Sequence, residues 1–227
     1  MVQNINYEKK YLKYKKKYNL ITKGSLNDNH KDNKIILKKI NDAIKKVSDA
    51  DIWSIDHDKY NTTYGELLHS ELDKIFTPII DEKDVFVDLG SGRGILLFYM
   101  ILRYGIKSMG IEIIDIRHNV ANKLKDLLLL KKSDQNLIKL INGDFFKADL
   151  SEGTIFYCDN TMYDEELENK LINYIINQKR NSNNPIKFLI FKKELGNFSN
   201  KLTYHSSIKT KTTYDKNTKI HLYNVNI

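Results

Sequence analysis

The chain has 227 residues, a formal net charge of +8 and a hydrophobic content of 41%. That size and apolar content suffice for one well-packed domain with a small appendage and argue against global disorder. A single cysteine, Cys158, excludes a disulfide framework and a four-cysteine zinc site. No apolar run reaches the ~20 residues of a membrane span, and the N-terminus lacks the apolar region of a secretory signal. The sequence therefore predicts a soluble intracellular protein that does not contact a membrane.

The charge is divided unevenly along the chain. Residues 1–50 contain 13 Lys and 5 acidic residues, whereas residues 51–178 contain 14 basic and 22 acidic residues. Residues 179–227 are basic again, with 10 basic and 2 acidic residues. Two basic ends around an acidic middle suit binding to the phosphate backbone of nucleic acid. The alternative is a general excess of Lys, Asn and Ile, which is typical of an AT-rich genome.

The N-terminal segment, residues 1–62, predicts two basic helices and a linker. The tyrosines of the first helix share one face at spacings of four, three and four, with lysines around the rest: Tyr7, Tyr11, Tyr14 and Tyr18. This helix either docks its tyrosines on the main domain or forms a basic arm for nucleic acid. The polar stretch "TKGSLNDNHKDN" predicts the linker. A second amphipathic helix follows in "KIILKKINDAIKKVSDADIW", with apolar residues at 36, 37, 40, 44 and 47.

Residues 63–227 predict an α/β domain. "TTYGELLHSELDKIFTPII" predicts a capped helix that ends near Pro78. The predicted strands "VFVDL", "SMGIEI", "LIKLING", "TIFYCD" and "IKFLIFK" then alternate with helices in "ILLFYMILRY", "DIRHNVANKLKDLLLLKK" and "DEELENKLINYIINQ". This alternation predicts a Rossmann-like, mostly parallel sheet of seven strands covered on both faces. After residue 200 two alternating stretches follow without a helix between them, which predicts an antiparallel hairpin at the sheet edge.

The loop "DLGSGRG" indicates which ligand the domain binds. Gly90, Gly92 and Gly94 are spaced one residue more tightly than the dinucleotide fingerprint, and no Lys-Ser or Lys-Thr follows as in a P-loop. Asp88 before the loop is a poor neighbour for a pyrophosphate and a good one for an ammonium. S-adenosylmethionine carries an ammonium and a sulfonium and no phosphate, so the pattern favours S-adenosylmethionine over NAD.

Acidic residues follow two further strands. Glu112 ends the second strand, where a carboxylate accepts hydrogen bonds from both ribose hydroxyls. Asp144 and Phe145 follow the third strand in "NGDFF", where they suit the amino group and the ring of adenine. Each alone has a plainer explanation as a helix cap or a core residue. Together, at the ends of consecutive strands, they predict a cofactor site.

The motifs "YGELLHSELDKIF", "VFVDLGSGRG", "GIEIIDI", "NGDFF" and "IFYCDN" resemble the catalytic domain of the disruptor-of-telomeric-silencing histone methyltransferases. These are class I enzymes that methylate a lysine on the globular face of histone H3 within nucleosomes. The resemblance runs from about Tyr60 to Asn160, continues weakly to the C-terminus and does not cover residues 1–50. It implies a class I methyltransferase fold and S-adenosylmethionine as the cofactor, with S-adenosylhomocysteine as the product.

The resemblance also implies site residues. A first group would line the methionine end of the cofactor: Tyr64, Gly65, Glu66 and Leu67. A second group, within Phe86 to Ile95, would form the loop beneath it: Phe86, Asp88, Gly90, Ser91, Gly92 and Gly94. Glu112 would hold the ribose, and Asp144 with Phe145 would hold the adenine. Asn160 matches a family asparagine beside the lysine channel and is also assigned to the cofactor site. Tyr214 matches a residue of the family's aromatic channel wall.

The sequence departs from the family beside that channel. Asp159 replaces an asparagine, and Thr161 replaces its flanking aromatic residue, although Tyr163 matches another aromatic residue of the family. Ile95 replaces a polar residue near the cofactor. Because methyl transfer to an amine is an in-line displacement that needs a neutral lysine and little other proton transfer, catalysis would rest mainly on orientation. We expect Asn160 and Tyr163 to align the amine, with no obligatory base and no metal.

The basic ends suit a nucleosomal substrate. The resemblance implies basic segments outside the catalytic fold that bind DNA, and the N-terminal candidates are Lys9, Lys10, Lys13, Lys15, Lys16 and Lys17. A second set lies near the C-terminus: Lys209, Lys211, Lys216 and Lys219. The expected partners are histone H3 and nucleosomal DNA, bound by a monomer. The expected location is the nucleus or, for a large DNA virus, the host nucleus or viral factory.

Two other functions stay open at this stage. One is a DNA or RNA methyltransferase of the same fold, although "DNTMY" lacks the two prolines that often follow the Asn or Asp of amine-modifying DNA enzymes. The other is a nucleosome-binding module that retains the fold without turnover. The intact glycine loop, Glu112 and Asp144 argue against that module.

Overall fold

The computed structural model describes residues 33–47, 67, 71–129, 131–179, 184–196, 200–211 and 217–226. Its helices are α1 Asn33–Ile44, α2 Leu72–Phe76, α3 Ile95–Tyr104, α4 Asp115–Leu128, α5 Lys132–Gln135 and α6 Glu165–Lys179. Its strands are β1 Val85–Leu89, β2 Lys107–Glu112, β3 Ile138–Asn142, β4 Ile155–Cys158, β5 Phe188–Phe191, β6 Leu202–Lys209 and β7 Lys219–Val225. The predicted tyrosine-rich helix and all but the last residue of the predicted linker lie outside the described residues, and that last residue, Asn33, begins α1.

The strands form one seven-stranded sheet in the order β3-β2-β1-β4-β5-β7-β6. β1 to β5 pair in parallel, whereas β7 runs antiparallel to both β5 and β6. The predicted Rossmann-like fold with an antiparallel hairpin at its edge is therefore confirmed. The strand order reverses between β1 and β4, and open sheets of this kind bind ligands at the carboxyl ends of the strands beside such a reversal.

Each face of the sheet packs against helices. The alternation of side chains along β1 directs Phe86 to one apolar cluster and Val87 and Leu89 to the other. α1, α3 and α4 cover the first face, and α6 covers the second. This two-sided burial is the reason why the central strands read as unbroken apolar runs.

The helix α1 is part of the first cluster. Ile36 and Ile40 are fully or almost fully buried, and the helix packs against α3 and α4. A polar network secures its start, because the Asp73 carboxylate accepts hydrogen bonds from Asn33 Nδ2 at 2.6 Å and from Tyr99 Oη at 2.6 Å. The domain boundary predicted at residue 62 would separate this helix from the core into which it packs.

Two helices differ in extent from their predictions. Of the helix predicted from residue 63, the described part is α2. Leu67, which the prediction placed in that helix, forms an isolated β-bridge instead. α1 ends at Ile44, although Val47 beyond it is still buried. Across the described ranges, no helix has both the length and the apolar character that a membrane crossing requires.

Candidate functional site

The glycine loop is attached to the end of β2 by backbone hydrogen bonds. The N–H groups of Gly90 and Ser91 both donate to Ile111 O, at 2.9 and 3.0 Å. A Cβ atom on Gly110 in β2 would lie 2.6 Å from Ser91 Oγ and 2.3 Å from Leu97 Cδ1, so only glycine there lets the loop approach this closely. The loop therefore has a fixed position across the carboxyl ends of β1 and β2.

Glu112 holds the same loop with its side chain. Its Oε2 accepts a 2.7 Å hydrogen bond from Gly92 N, and its Oε1 accepts a 2.8 Å bond from Ile114 N. Gly92 has a φ of 53°, a backbone conformation that a residue with a side chain rarely adopts. The carboxylate is buried, and each of its oxygens has a second acceptor position in addition to the one that the backbone uses.

Asp88 lies beside Glu112 and is also buried. Burial raises the pKa of the Asp88 carboxyl well above its ordinary 3.8, and the charges of Glu112 and Asp159 raise it further. Among the described residues, no hydrogen bond opposes this shift. A cationic ligand at this place would supply the compensation that the carboxylate lacks.

The adenine side of the predicted site lies at the end of β3. Gly143 N donates to Glu112 O at 2.9 Å, which connects the ends of β3 and β2. Asp144 caps the short 3-10 helix Phe145–Lys147 by accepting from Phe146 N at 2.9 Å. Phe145 is half-buried and its ring centroid lies 4.7 Å from that of Phe146. The structure thus brings Asp144 and Phe145 to the same sheet edge as Asp88 and Glu112.

The side chain of Asn160 belongs to a buried hydrogen-bond network after β4. Its side chain is fully buried, and its Nδ2 donates to Glu168 Oε1 at 2.7 Å and to Lys193 O at 3.1 Å. Its Oδ1 accepts from Lys193 N at 2.7 Å. The expected role of this amide in aligning the substrate amine or contacting the cofactor stays a prediction. Asn160 joins the end of β4 to α6 and to the segment after β5.

Tyr163 lies close to the predicted lysine channel. Its hydroxyl is hydrogen-bonded to the Cys158 sulfur. Burial raises the pKa of Tyr163 most, and the charges of Asp159 and Glu112 add to the shift. Its partly buried ring packs against the second apolar cluster. The Tyr163 ring thus lies near the end of β4, and Asp159 and Glu112 are close enough for their charges to act on its hydroxyl.

An ion pair beside Asn160 was not predicted as part of the site. Asp159 Oδ2 lies 2.7 Å from Lys192 Nζ, and the two residues directly follow β4 and β5. The Lys192 side chain is 7% exposed and that of Asp159 is 25% exposed. A signal was present, since a polar residue directly after each of two neighbouring parallel strands places the pair at one sheet edge.

The remaining predicted residues have varied positions. Phe86 is fully buried and packs edge-on against Phe76 with ring centroids 5.6 Å apart. Phe86 thus belongs to the first apolar cluster, and its assignment to the cofactor site stays a prediction. Leu67 and Ile95 are also buried in that cluster. Gly94 caps the start of α3.

Several predicted site residues lie outside the described residues: Tyr64, Gly65, Glu66, Lys9, Lys10, Lys13, Lys15, Lys16, Lys17, Tyr214 and Lys216. Of the C-terminal lysines, Lys209 and Lys219 are exposed and directly opposite each other at the tip of the β6–β7 hairpin. Because Phe191 at the end of β5 pairs with His221, this tip extends beyond the carboxyl end of β5. Lys211 is exposed at the same tip.

Comparison with solved structures agrees with this architecture. An RNA methyltransferase from Salinibacter ruber, in complex with S-adenosyl-L-homocysteine, superposes with a TM-score of 0.53 at 20% identity, covering 69% of this chain and 90% of that one. A geranyl diphosphate C-methyltransferase from Streptomyces coelicolor has a TM-score of 0.50 at 12% identity, covering 70% and 80%. The fold is that of the class I, Rossmann-like methyltransferases.

Sequence comparison identifies the family. The model of the family "Histone methylation protein DOT1" matches residues 56–226, so the chain belongs to that family. The histone-lysine N-methyltransferase, H3 lysine-79 specific, of Chaetomium globosum is 30% identical over 129 residues, 52% of this chain and 25% of that protein. Its counterpart in Emericella nidulans is 29% identical, covering 52% and 26%. The chain spans about a quarter of the length of these relatives.

Proposed function

We propose that the protein transfers a methyl group from S-adenosylmethionine to a lysine on the globular surface of histone H3 in nucleosomes. The observation that carries the proposal is the pair of buried carboxylates, Asp88 and Glu112, at neighbouring strand ends around the glycine loop. Family membership supports the same reaction and substrate. The relatives that act on histone H3 align with about half of this chain.

The acidic strand ends suit the polar groups of S-adenosylmethionine. Asp88 would bind the ammonium, and the free acceptor positions of Glu112 would bind the ribose hydroxyls. Asp144 and Phe145 would hold the adenine by hydrogen bonding and ring contact. Residues 64–67 would line the methionine end. When bound, the sulfonium supplies an electrophilic methyl group.

Orientation of the amine is the main contribution of the protein to this reaction. A fixed near-attack geometry supplies up to ~7–11 kcal/mol of barrier reduction. The Tyr163 ring and the loop that Asn160 holds would shape the lysine channel. A dry aromatic channel also disfavours the ammonium form and lowers the pKa of the incoming lysine.

The basic ends would bind nucleosomal DNA. Lys209 and Lys219 face each other across the hairpin, and like charges in that arrangement destabilise a strand pair. A phosphate between or beside them would offset the repulsion. The tip projects from the same sheet edge as the acidic site, so one nucleosome would contact both. The N-terminal lysines would add a second DNA contact.

The test is a radiolabelled methyl-transfer assay on whole nucleosomes, free histone H3, naked DNA and RNA. We expect label on histone H3 in nucleosomes and little on free H3. The Glu112→Ala variant, which loses the loop anchor and the ribose acceptor, should abolish the label. The exposed Glu165→Gln variant is the matched control and should leave it unchanged. Label on DNA or RNA alone would overturn the proposed substrate.

A further inference from the structure

Asp159 and Lys192 form a partly buried ion pair at the carboxyl ends of two adjacent parallel strands. The carboxylate follows β4 and the ammonium follows β5, with 2.7 Å between Oδ2 and Nζ. Burying two charges is costly unless their geometry is held. Here the surrounding chain does hold it, since Lys192 N also donates to Cys158 O at 3.3 Å.

One acceptor position of the Asp159 carboxylate stays available. Oδ1 accepts from Thr161 N at 3.2 Å and from Thr161 Oγ1 at 2.5 Å, which uses both of its positions. Oδ2 accepts from Lys192 and retains one position. A quarter of the Asp159 side chain is exposed, whereas the neighbouring Asn160 side chain has no exposed surface.

The sheet register places Asp159 beside the glycine loop, because Cys158 before it pairs with Leu89 at the end of β1. Tyr163 lies in the turn that follows Asp159, since its N–H donates to Asn160 O at 3.0 Å. Burial is the largest cause that raises the pKa of both Asp88 and Tyr163, and the Asp159 charge adds to both shifts. Asp88 belongs to the proposed cofactor side, and Tyr163 to the proposed lysine channel. The available acceptor of Asp159 therefore lies beside the proposed cofactor loop and next to the turn of Tyr163, where we expect the substrate amine and the methyl group to meet.

We propose that Asp159 binds and orients the attacking amine, and that Lys192 acts as a positioning residue that fixes the direction of the carboxylate. This inference rests on the proposed methyl transfer to lysine. Oδ2 would accept one N–H of the neutral amine, so that the nitrogen lone pair points at the methyl carbon. Asn160 acts one step further away by holding the loop.

The electron balance of the step uses this contact throughout. The new bond joins the amine nitrogen to the methyl carbon while the carbon–sulfur bond breaks and its electron pair stays on sulfur. The nitrogen takes the positive charge, which the carboxylate stabilises, and then loses a proton to solvent. Lys192 offsets the tendency of a lone carboxylate to retain the substrate as ammonium.

The same contact affects the number of methyl groups added. A neutral primary or monomethylated amine has an N–H to donate to Oδ2, whereas a neutral dimethylated amine has none. The first and second transfers are therefore oriented by Asp159 and the third is not. We expect mono- and dimethyllysine to dominate, with the third transfer at least ~10-fold slower.

The experiment compares the wild type with Asp159→Asn, Asp159→Ala and Lys192→Gln on nucleosomes, with Glu165→Gln as the exposed control. Turnover, S-adenosylmethionine Kd and the methylation states by mass spectrometry are measured. In Asp159→Ala we expect kcat to fall about 100-fold with Kd within about 2-fold of the wild type. The rate ratio of the third transfer to the first should rise, since only the first two transfers depend on this orienting carboxylate.

The pH profile of kcat separates orientation from a structural role. Asp159→Asn removes the negative charge beside Lys192, which lowers the pKa of the bound amine and moves the rise of kcat to lower pH. Lys192→Gln leaves the carboxylate uncompensated and moves that rise to higher pH. Opposite shifts support the proposal, and unchanged profiles in folded variants overturn it.

Two other outcomes are also decisive. Equal losses of kcat and cofactor affinity in Asp159→Asn, which preserves the shape of the side chain, would assign Asp159 to the cofactor and overturn the proposal. A wild type that labels no histone would instead refute the proposed function. A wild type that labels H3 while Asp159→Ala keeps full turnover would refute this inference alone.

Discussion

Replacement of Glu112 by Gln tests the centre of the cofactor site. The variant keeps the size of the side chain but replaces one carboxylate oxygen with an NH2 group. In the wild type both oxygens accept buried backbone bonds, from Gly92 N at 2.7 Å and from Ile114 N at 2.8 Å. The amide of Gln has one oxygen in this position instead of two, so it can accept only one of these two hydrogen bonds. The other backbone N–H would then face the NH2 group, which is also a donor.

Two magnitudes follow from these contacts. A buried N–H without a partner costs about 1–3 kcal/mol, so the free energy of unfolding should fall by about that amount. A hydrogen bond from a ribose hydroxyl to a charged acceptor is worth about 1.5–3 kcal/mol. Because every 1.4 kcal/mol is a tenfold change, the Kd for S-adenosylmethionine should rise about 10- to 150-fold.

Urea unfolding and titration calorimetry with S-adenosylmethionine measure the two quantities separately. Asp126→Asn, an exposed change of the same kind on α4, is the matched control and should alter stability by no more than about 0.5 kcal/mol. A variant that loses stability and retains the wild-type Kd would refute the ribose role of Glu112 and leave it a purely structural residue.

Three further predictions concern stability and binding. The pKa of Asp88 is raised above its ordinary 3.8, so the ligand-free folded protein loses stability as pH rises from 3.8 through the raised pKa. Asp88→Asn should therefore raise Tm at neutral pH and weaken S-adenosylmethionine binding. A lower Tm would contradict this. Ile40→Ala should destabilise the protein by about 2–5 kcal/mol in urea, whereas Ile35→Ala on the exposed face of α1 should have almost no effect; equal effects would place α1 outside the core. Replacing Lys209 and Lys219 by Ser should make nucleosome binding less dependent on salt. The slope of log binding constant against log salt concentration should become shallower by about 0.9 for each phosphate that the variant no longer neutralises. An unchanged slope would exclude the hairpin as a DNA-binding element.

The cofactor side of the site could be predicted from the sequence because it depends on local signals. A buried strand, a glycine turn and an acidic residue are adjacent in the chain, and parallel strands end at one edge. Asp88, Glu112 and Asp144 were identified in this way and lie together in the structure. The parallel sheet followed from the alternation of strands and helices, and the hairpin followed from the missing helix after residue 200.

The substrate side could not be predicted in the same way. Whether Asn160 or Asp159 faces the site depends on Glu168 in α6 and on Lys192 and Lys193 after β5. Lys192 and Lys193 are each 33 residues from their partners in the sequence, and the side chains of neighbouring residues at a strand end point in different directions. The family resemblance selected Asn160 by residue type. In the structure Asn160 is fully buried, whereas its acidic neighbour Asp159 is partly exposed.

The two halves of the site thus have different physical supports. In the proposed cofactor half, each anchoring bond has a backbone group on at least one side, namely Gly92 N, Ile111 O or Gly143 N, and the Glu112 carboxylate is the partner of Gly92 N. Side-chain charges hold the substrate half, through Asp159 with Lys192 and through Glu168 with Lys193.

Backbone hydrogen bonds survive most side-chain substitutions elsewhere in the chain. In an ion pair, by contrast, replacing either partner changes the orientation of the side chain that remains. Two of the residues that depart from the family, Asp159 and Thr161, lie in this charge-supported half and bind each other. If Asp159 orients the amine as proposed, we expect one or two substitutions there to change substrate preference while the binding of S-adenosylmethionine is retained.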